Sequence, residues 1–257
     1  MSTLSLALHF ARRDLKSRYL GSFSGGVWLL LQPLLQLAVY SLVFVYIFKA
    51  RSAGGADAPA YVPFLMAAMW PWIAFSEGAQ RAATAIQDHA GLIGKVAIPR
   101  MSLVLAPILA SFAIHGTGFL AIVVALAAFG VPISLTGILL ALPAYAALLA
   151  CAIGVGLLLA SLQVFIRDIA PALPQVFMLW MFLSPVFYGV EMIPERYRTL
   201  LDFNPYAAFA GHFRYALLGT SPPGYRAYFV AFVFIVAIVA LGALTFRRLE
   251  RHFEDFL

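Results

Sequence analysis

From Met101 to Ile166 the chain carries no Asp, Glu, Lys or Arg. A helix crosses the hydrocarbon core of a bilayer with about 20 apolar residues, so a run of this length is too long for one span and suits two. Its interruption is Phe129-Gly130-Val131-Pro132-Ile133-Ser134, an uncharged stretch with turn chemistry. The segments 101–128 and 135–164 therefore read as successive membrane spans. The rest of the composition agrees. Hydrophobic residues make up 63% and charged residues 11%, with a mean hydropathy of +0.92, against roughly 25% charged residues in a soluble domain. The chain reads as an all-α integral membrane protein. Its net charge of +6 sets orientation and headgroup contact rather than nucleic-acid binding. Cys151 is the sole cysteine, so no intrachain disulfide forms, and one Cys with five scattered His builds no zinc pattern. The apolar run Leu4–Ala11 precedes the basic cluster, the wrong order for a cleavable signal peptide. The first span is expected to serve as an uncleaved insertion signal.

Residues 4–20 read as an amphipathic interface helix. Leu4, Leu8, Ala11, Leu15 and Tyr19 fall on one stripe, and Arg12, Arg13 and Lys16 on a neighbouring polar face. A first span follows at about 27–48, with Trp28 and Tyr46 near its ends and Pro33 inside. A small-residue loop, 49–60, leads to a second span at about 61–80. That span holds Trp70-Pro71-Trp72 and then Glu77, four residues before Arg81, a spacing that predicts an ion pair along one helix face. Between the second span and the uncharged run lies IQDHAGLIGKVAIPR, residues 86–100. Asp88 and His89 before Leu92 and Ile93 predict a short capped helix there. His115, inside the third span, is expected to bond a neighbouring helix. Gly154 and Gly156 in the fourth indicate close helix packing. Arg167-Asp168 marks another brief turn, followed by a fifth span at about 172–190. Residues 204–219 are too short to cross and read as a re-entrant or interfacial hairpin. The last span is about 227–246, and a short charged helix ends the chain.

With six spans both termini share a side. On that side lie Arg12, Arg13, Lys16, Arg18, Arg81, Lys95, Arg100, Arg167, Arg247, Arg248 and Arg251, against Lys49, Arg51, Arg196, Arg198, Arg214 and Arg226 on the other. The excess predicts cytoplasmic termini and a cytoplasmic 86–100 loop. There is no G-x-x-x-x-G-K-[ST] motif for nucleotide phosphates, no inverted pair of broken helices, and no catalytic triad or metal spacing. A polytopic chain without a motor of its own takes energy from a separate subunit, and the 86–100 loop, rigidly joining two spans, is the natural contact. An ion-coupled carrier using Glu77 and a membrane enzyme acting on lipid-linked sugars are the alternatives from other classes.

Several motifs keep a common order. R-x-L-K-x-R-Y-x-x-S begins at Arg13, and G-x-x-W-x-L-L-x-P begins at Gly25. L-I-G-K-V-x-I-P-R spans Leu92–Arg100, and F-x-R-D-I spans Phe165–Ile169. S-P-V-F-Y, I-P-E-R-Y, N-P and F-R-Y-A-L-L-G then run from Ser184 to Gly219. In this order the chain resembles the permease subunit of ABC-2 type exporters of cell-surface polysaccharide, the class that moves O-antigen, capsule or teichoic acid; an ABC-2 permease for a drug or lipid shares the fold.

The resemblance implies one transmembrane domain over 1–257 and a homodimer in the bacterial inner membrane. It also implies two copies of an ABC ATPase subunit beneath. No cofactor is expected in this chain, Mg-ATP being bound by the partner. The residues carried over for ATPase coupling are Asp88, His89, Leu92, Ile93, Lys95, Arg167 and Asp168. Arg12, Arg13, Lys16 and Arg18 would contact the diphosphate of a lipid-linked glycan. Trp28, Tyr40, Trp70, Trp72, Phe187 and Tyr188 are the aromatics proposed to line the path between protomers.

Overall fold

The computed structural model describes residues 2–19, 31, 34–40, 42–43, 61–93, 95–96, 98–128 and 130–257. Among these the secondary structure is entirely helical. The elements are α1 (Thr3–Tyr19), α2 (Tyr61–Asp88), α3 (Met101–Ala128), α4 (Leu135–Gln163), α5 (Ile169–Leu183), α6 (Glu195–Leu201), α7 (Pro205–Leu218) and α8 (Tyr225–Leu249). Short 3-10 turns occupy Val190–Met192 and Glu250–Asp255. Residues 34–40 are also helical. The remainder of the expected first span, the 49–60 loop and Trp28 lie outside the described residues. By length and hydropathy α3, α4 and the final run Tyr225–Asp255 are each able to cross a membrane, and α5 is a shorter apolar helix.

The axis of the bundle is α2. It is buried along nearly its whole length, from Phe64 to Ile86, and packs on α3, α4, α5 and α7. Hydropathy alone ends this span at residue 80, because Glu77 and Arg81 lower the local average. The helix nevertheless runs on to Asp88, since tertiary partners take up both charges. The opposite difference occurs in α5. The expected 172–190 span is a helix of 15 residues that stops at Leu183. Pro185 disfavours helical backbone in the residue before it, and Ser184 is accordingly extended, with φ −92° and ψ 149°.

The helix α1 buries Ala7 and Ala11, packing on Ala106 and Ala110 of α3 together with Phe10 and Leu15. Two of the five residues of the expected apolar stripe face elsewhere: Leu4 is 59% and Leu8 49% exposed. Helices α4 and α8 meet backbone to backbone. A Cβ added to Gly242 would stand 2.2 Å from the Gly154 carbonyl oxygen, so both positions need glycine for this approach.

Candidate coupling site and the far end of the bundle

The loop after α2 is built from tight turns, not from the expected capped helix. Because α2 continues through Asp88, that carboxylate sits in the helix's last turn and accepts a hydrogen bond from Thr84 Oγ1 at 2.8 Å. His89 Nδ1–H donates to the Ala85 carbonyl at 2.9 Å. The amides of Leu92 and Ile93 both return to the His89 carbonyl. Ile93 is buried and anchors the loop to the core, while Lys95 and Val96 are exposed and Leu92 is half-buried.

Three other segments gather around this loop. Arg81 bonds Asp14 of α1 at 2.7 Å, and Phe10 lies 6.3 Å from the His89 ring. A cavity of about 310 Å³ opens between them, walled by Arg13, Asp14, Arg81, Asp88, His89 and Pro107. The turn at Phe165–Asp168 is fixed through Gln163. Its Nε2 donates to Gln87 Oε1 and to the Arg167 carbonyl, and its Oε1 accepts from the Ala170 amide at 2.7 Å. The tail closes the set: Arg100 bonds the Glu250 carbonyl and the Glu254 carboxylate, and Phe165 packs on Phe256 at 4.7 Å.

Lys95, Arg167 and Asp168 are thus exposed together at one end, with Arg12, Arg13 and Lys16 exposed on adjacent α1. The Arg18 side chain lies outside the described residues. Gln87 and Gln163 were not singled out from sequence, because neither belongs to a spacing that signals a site.

The expected Glu77–Arg81 pair is replaced by two pairs between helices. Arg81 reaches Asp14, and Glu77 Oε2 lies 2.5 Å from His115 Nε2 on α3. His115 thus bonds a neighbouring helix, as its place in the third span leads one to expect, and the partner is a carboxylate. Trp70 Nε1–H donates to the His115 carbonyl at 2.9 Å.

Three of the aromatics expected along a path are core residues. Trp70, Trp72 and Phe187 are at most 3% exposed. Trp72 stands edge-on to Tyr206 at 4.6 Å and to Trp180 at 5.4 Å, so its faces are occupied by protein and offer no sugar a surface. Tyr40 and Tyr188 are half-buried.

The end of the bundle opposite the loop is organised by Asn204 and Arg214. Asn204 caps α7 by accepting from the Tyr206 amide at 3.1 Å, and it accepts from Trp180 Nε1 at 3.1 Å. Its amide donates to the Leu183 carbonyl and Ser184 Oγ where α5 stops. Gly219 ends α7 with φ +67°, the left-handed cap that glycine takes without strain.

Arg214, 4% exposed, donates to the carbonyls of Phe64, Pro185 and Val186 at 3.1, 2.6 and 2.7 Å. It lies 3.5 Å over the Phe64 ring. Burial lowers its pKa to about 9, opposed by Tyr206, Tyr61 and Glu191, so the guanidinium is charged at neutral pH. Sequence reading placed Arg214 only as one cation among others in a mixed segment.

A helical bundle in which α3, α4 and the final run can each cross a membrane, with exposed basic turns gathered at one end, fits a multi-pass membrane protein. Residues 6–218 match the ABC-2 type transporter family, and the chain belongs to it. Two relatives from Klebsiella pneumoniae, both named "O-antigen export system permease protein RfbA", are 25% and 26% identical, each aligned over 98% of this chain and 95% of its own. A Myxococcus xanthus protein of the same name is 29% identical over 78% of this chain and 75% of its own.

Proposed function

We propose that this protein is the transmembrane subunit of an ATP-driven exporter that moves a lipid-linked, O-antigen-like polysaccharide across the bacterial inner membrane. The observation that carries the reading is similarity across nearly the whole chain to permeases named for O-antigen export. In this reading the subunit is a homodimer of six-span protomers with cytoplasmic termini. Two ABC ATPase subunits that bind Mg-ATP dock beneath it. Residues 204–219 form the re-entrant element on the outer side.

The ATPase meets the surface formed by Asp88, His89, Leu92, Lys95, Arg167 and Asp168, and Ile93 supports that surface from within. Its support is physical: these residues share one end, and α2, α3 and α4 all leave from it, so a displacement there reaches three helices at once. Arg12, Arg13, Lys16 and Arg18 receive the lipid diphosphate at the interface through charge-assisted hydrogen bonds. Tyr40 and Tyr188, with Trp28, remain the aromatics proposed to guide the glycan between protomers.

Deletion of the gene tests the reading. Loss of surface glycan, with unchanged sensitivity to small toxic molecules, is the expected result; retained glycan with new drug sensitivity points to a drug or lipid permease. A Lys95→Cys variant crosslinks to the ATPase subunit if the docking surface is assigned correctly, and a crosslink formed from the opposite face of the membrane sinks the assignment.

A further inference from the structure

Among the described residues Arg214 is the only Asp, Glu, Lys or Arg that is buried. Its three acceptors are all backbone carbonyls, and they belong to two elements other than its own. Pro185 and Val186 lie past the stop of α5, where the chain has left the helix and its carbonyls have lost their usual partners. Phe64 lies in the first turn of α2. One planar guanidinium on α7 therefore holds both. Two tyrosines repeat the connection: Tyr61 of α2 donates to the Phe187 carbonyl at 2.9 Å, and Tyr206 of α7 donates to the Ala68 carbonyl at 2.6 Å.

We propose that Arg214 welds α7, the break after α5 and the start of α2 into one block, and that α2 carries motion from the coupling loop to this block as a rod. The proposal rests on the transport reading above. Charge-assisted hydrogen bonds are about twice as strong as neutral ones, and at 4% exposure a lost carbonyl partner leaves a buried polar group unpaired. Parting α7 from α2 in each cycle would strand three carbonyls and a buried cation together. Moving them as a unit breaks none of these bonds. The rod is one helix: α2 runs 28 residues from Tyr61 to Asp88, about 42 Å at 1.5 Å per residue. It passes through Pro71, which forgoes one backbone hydrogen bond and is buried between Trp70 and Trp72. Its other end carries the Asp88 and His89 contacts of the loop. Arg214 is thus a positioning residue, and it touches no substrate in this account. A lysine has three donors on one nitrogen but lacks the planar fork that spreads them over carbonyls of separate elements.

The test uses the assembled transporter with its ATPase in lipid nanodiscs, in a Cys151→Ala background. Spin labels replace Val62 on α2 and Tyr215 on α7, each 36% exposed, and a separate sample carries a label at Lys95. Spectra are taken without nucleotide and with ATP plus vanadate. The expected result is that the Lys95 label responds to nucleotide while the 62–215 separation stays the same. In Arg214→Lys the separation splits between the two states, and the ATP hydrolysed per glycan exported rises several-fold.

A nucleotide-dependent 62–215 separation in the unaltered protein, with Lys95 responding, overturns the weld and leaves the transport reading standing. An Arg214→Lys transporter with an undisturbed separation and ATP-to-glycan ratio overturns the role of Arg214. If the Lys95 label is silent and the ATPase ignores the permease, the transport reading itself falls and takes this inference with it. Should Arg214→Lys fail to assemble, the measurement on the unaltered residue still decides.

Discussion

Arg81 has a carboxylate one helical turn away and bonds a different one. An i,i+4 pair on a helix contributes only a few tenths of a kcal/mol, so the long arginine side chain is free to reach Asp14 and fasten α1. At 38% and 24% side-chain exposure, solvent screening limits that pair to about 1 kcal/mol or less. That corresponds to no more than about a fivefold change in the population of a detached α1. An Ala11→Cys thiol, buried against α3, is therefore expected to react with a maleimide up to about fivefold faster in Arg81→Ala. Equal rates would mean that the Ala7 and Ala11 contacts alone hold α1. The other carboxylate makes a functional prediction. Glu77→Gln keeps an acceptor for His115 Nε2, so ATP-driven export continues and proton uncouplers leave it unaffected. Loss of export in Glu77→Gln, together with uncoupler sensitivity, would favour an ion-coupled carrier.

The packing of α4 on α8 gives a prediction at the scale of elements. A methyl group at Gly242 meets the Gly154 backbone at 2.2 Å, and one at Gly154 meets the Val239 amide nitrogen at 2.7 Å. Backbone cannot rotate aside as a side chain would, so Gly242→Ala and Gly154→Ala each destabilise by about 1–3 kcal/mol. Gly91, with nothing within 4 Å of an added Cβ, is the control. Thermal unfolding in detergent should lower Tm for the first two and leave Gly91→Ala unchanged. Gly154 stood out in the sequence because its neighbours are uniformly apolar, whereas its partner Gly242 lies 88 positions away and only the fold pairs them. The same division holds elsewhere. An apolar stretch is a sum over about 20 residues and survives local exceptions, which is why α3 and α4 are legible as spans. The stop of α5 depends on one residue, Pro185, whose backbone effect leaves hydropathy high. The partners of Glu77 and Arg81, and the three carbonyls around Arg214, are through-space facts with no sequence spacing. Trp72 shows how an aromatic misleads for this reason: its type suits a sugar platform, but its position is core. Trp72→Ala is expected to lower the yield of folded protein, as truncation of a buried aromatic costs about 3–5 kcal/mol, while the protein that does fold exports glycan of unaltered length. A shift in glycan length at normal yield would return Trp72 to the path.

For the molecule as a whole, the arrangement of its loop end matters more than any single contact. The 86–100 loop, the Arg167 turn and the C-terminal tail would each be a weakly ordered segment alone. Here Phe253 is fully buried, against Phe246 at 5.5 Å and Phe165 at 6.2 Å, so the tail is pinned to the turn, and Arg100 pins the loop to the tail. A surface ordered before docking spares its partner the conformational entropy of ordering it, which is about 1–2 kcal/mol for each backbone residue fixed. Phe253→Ala is thus expected to weaken ATPase binding without altering any residue of the proposed docking surface. Freeing about one residue raises the apparent Kd by about tenfold, as 1.4 kcal/mol is one decade. The distinguishing readout is a titration of the ATPase subunit against permease in nanodiscs. If the tail acts through order alone, the concentration for half-maximal stimulation rises and maximal stimulation is preserved, because the docked geometry is the same once reached. A fall in maximal stimulation at unchanged half-saturation would mean that the tail takes part in the stroke.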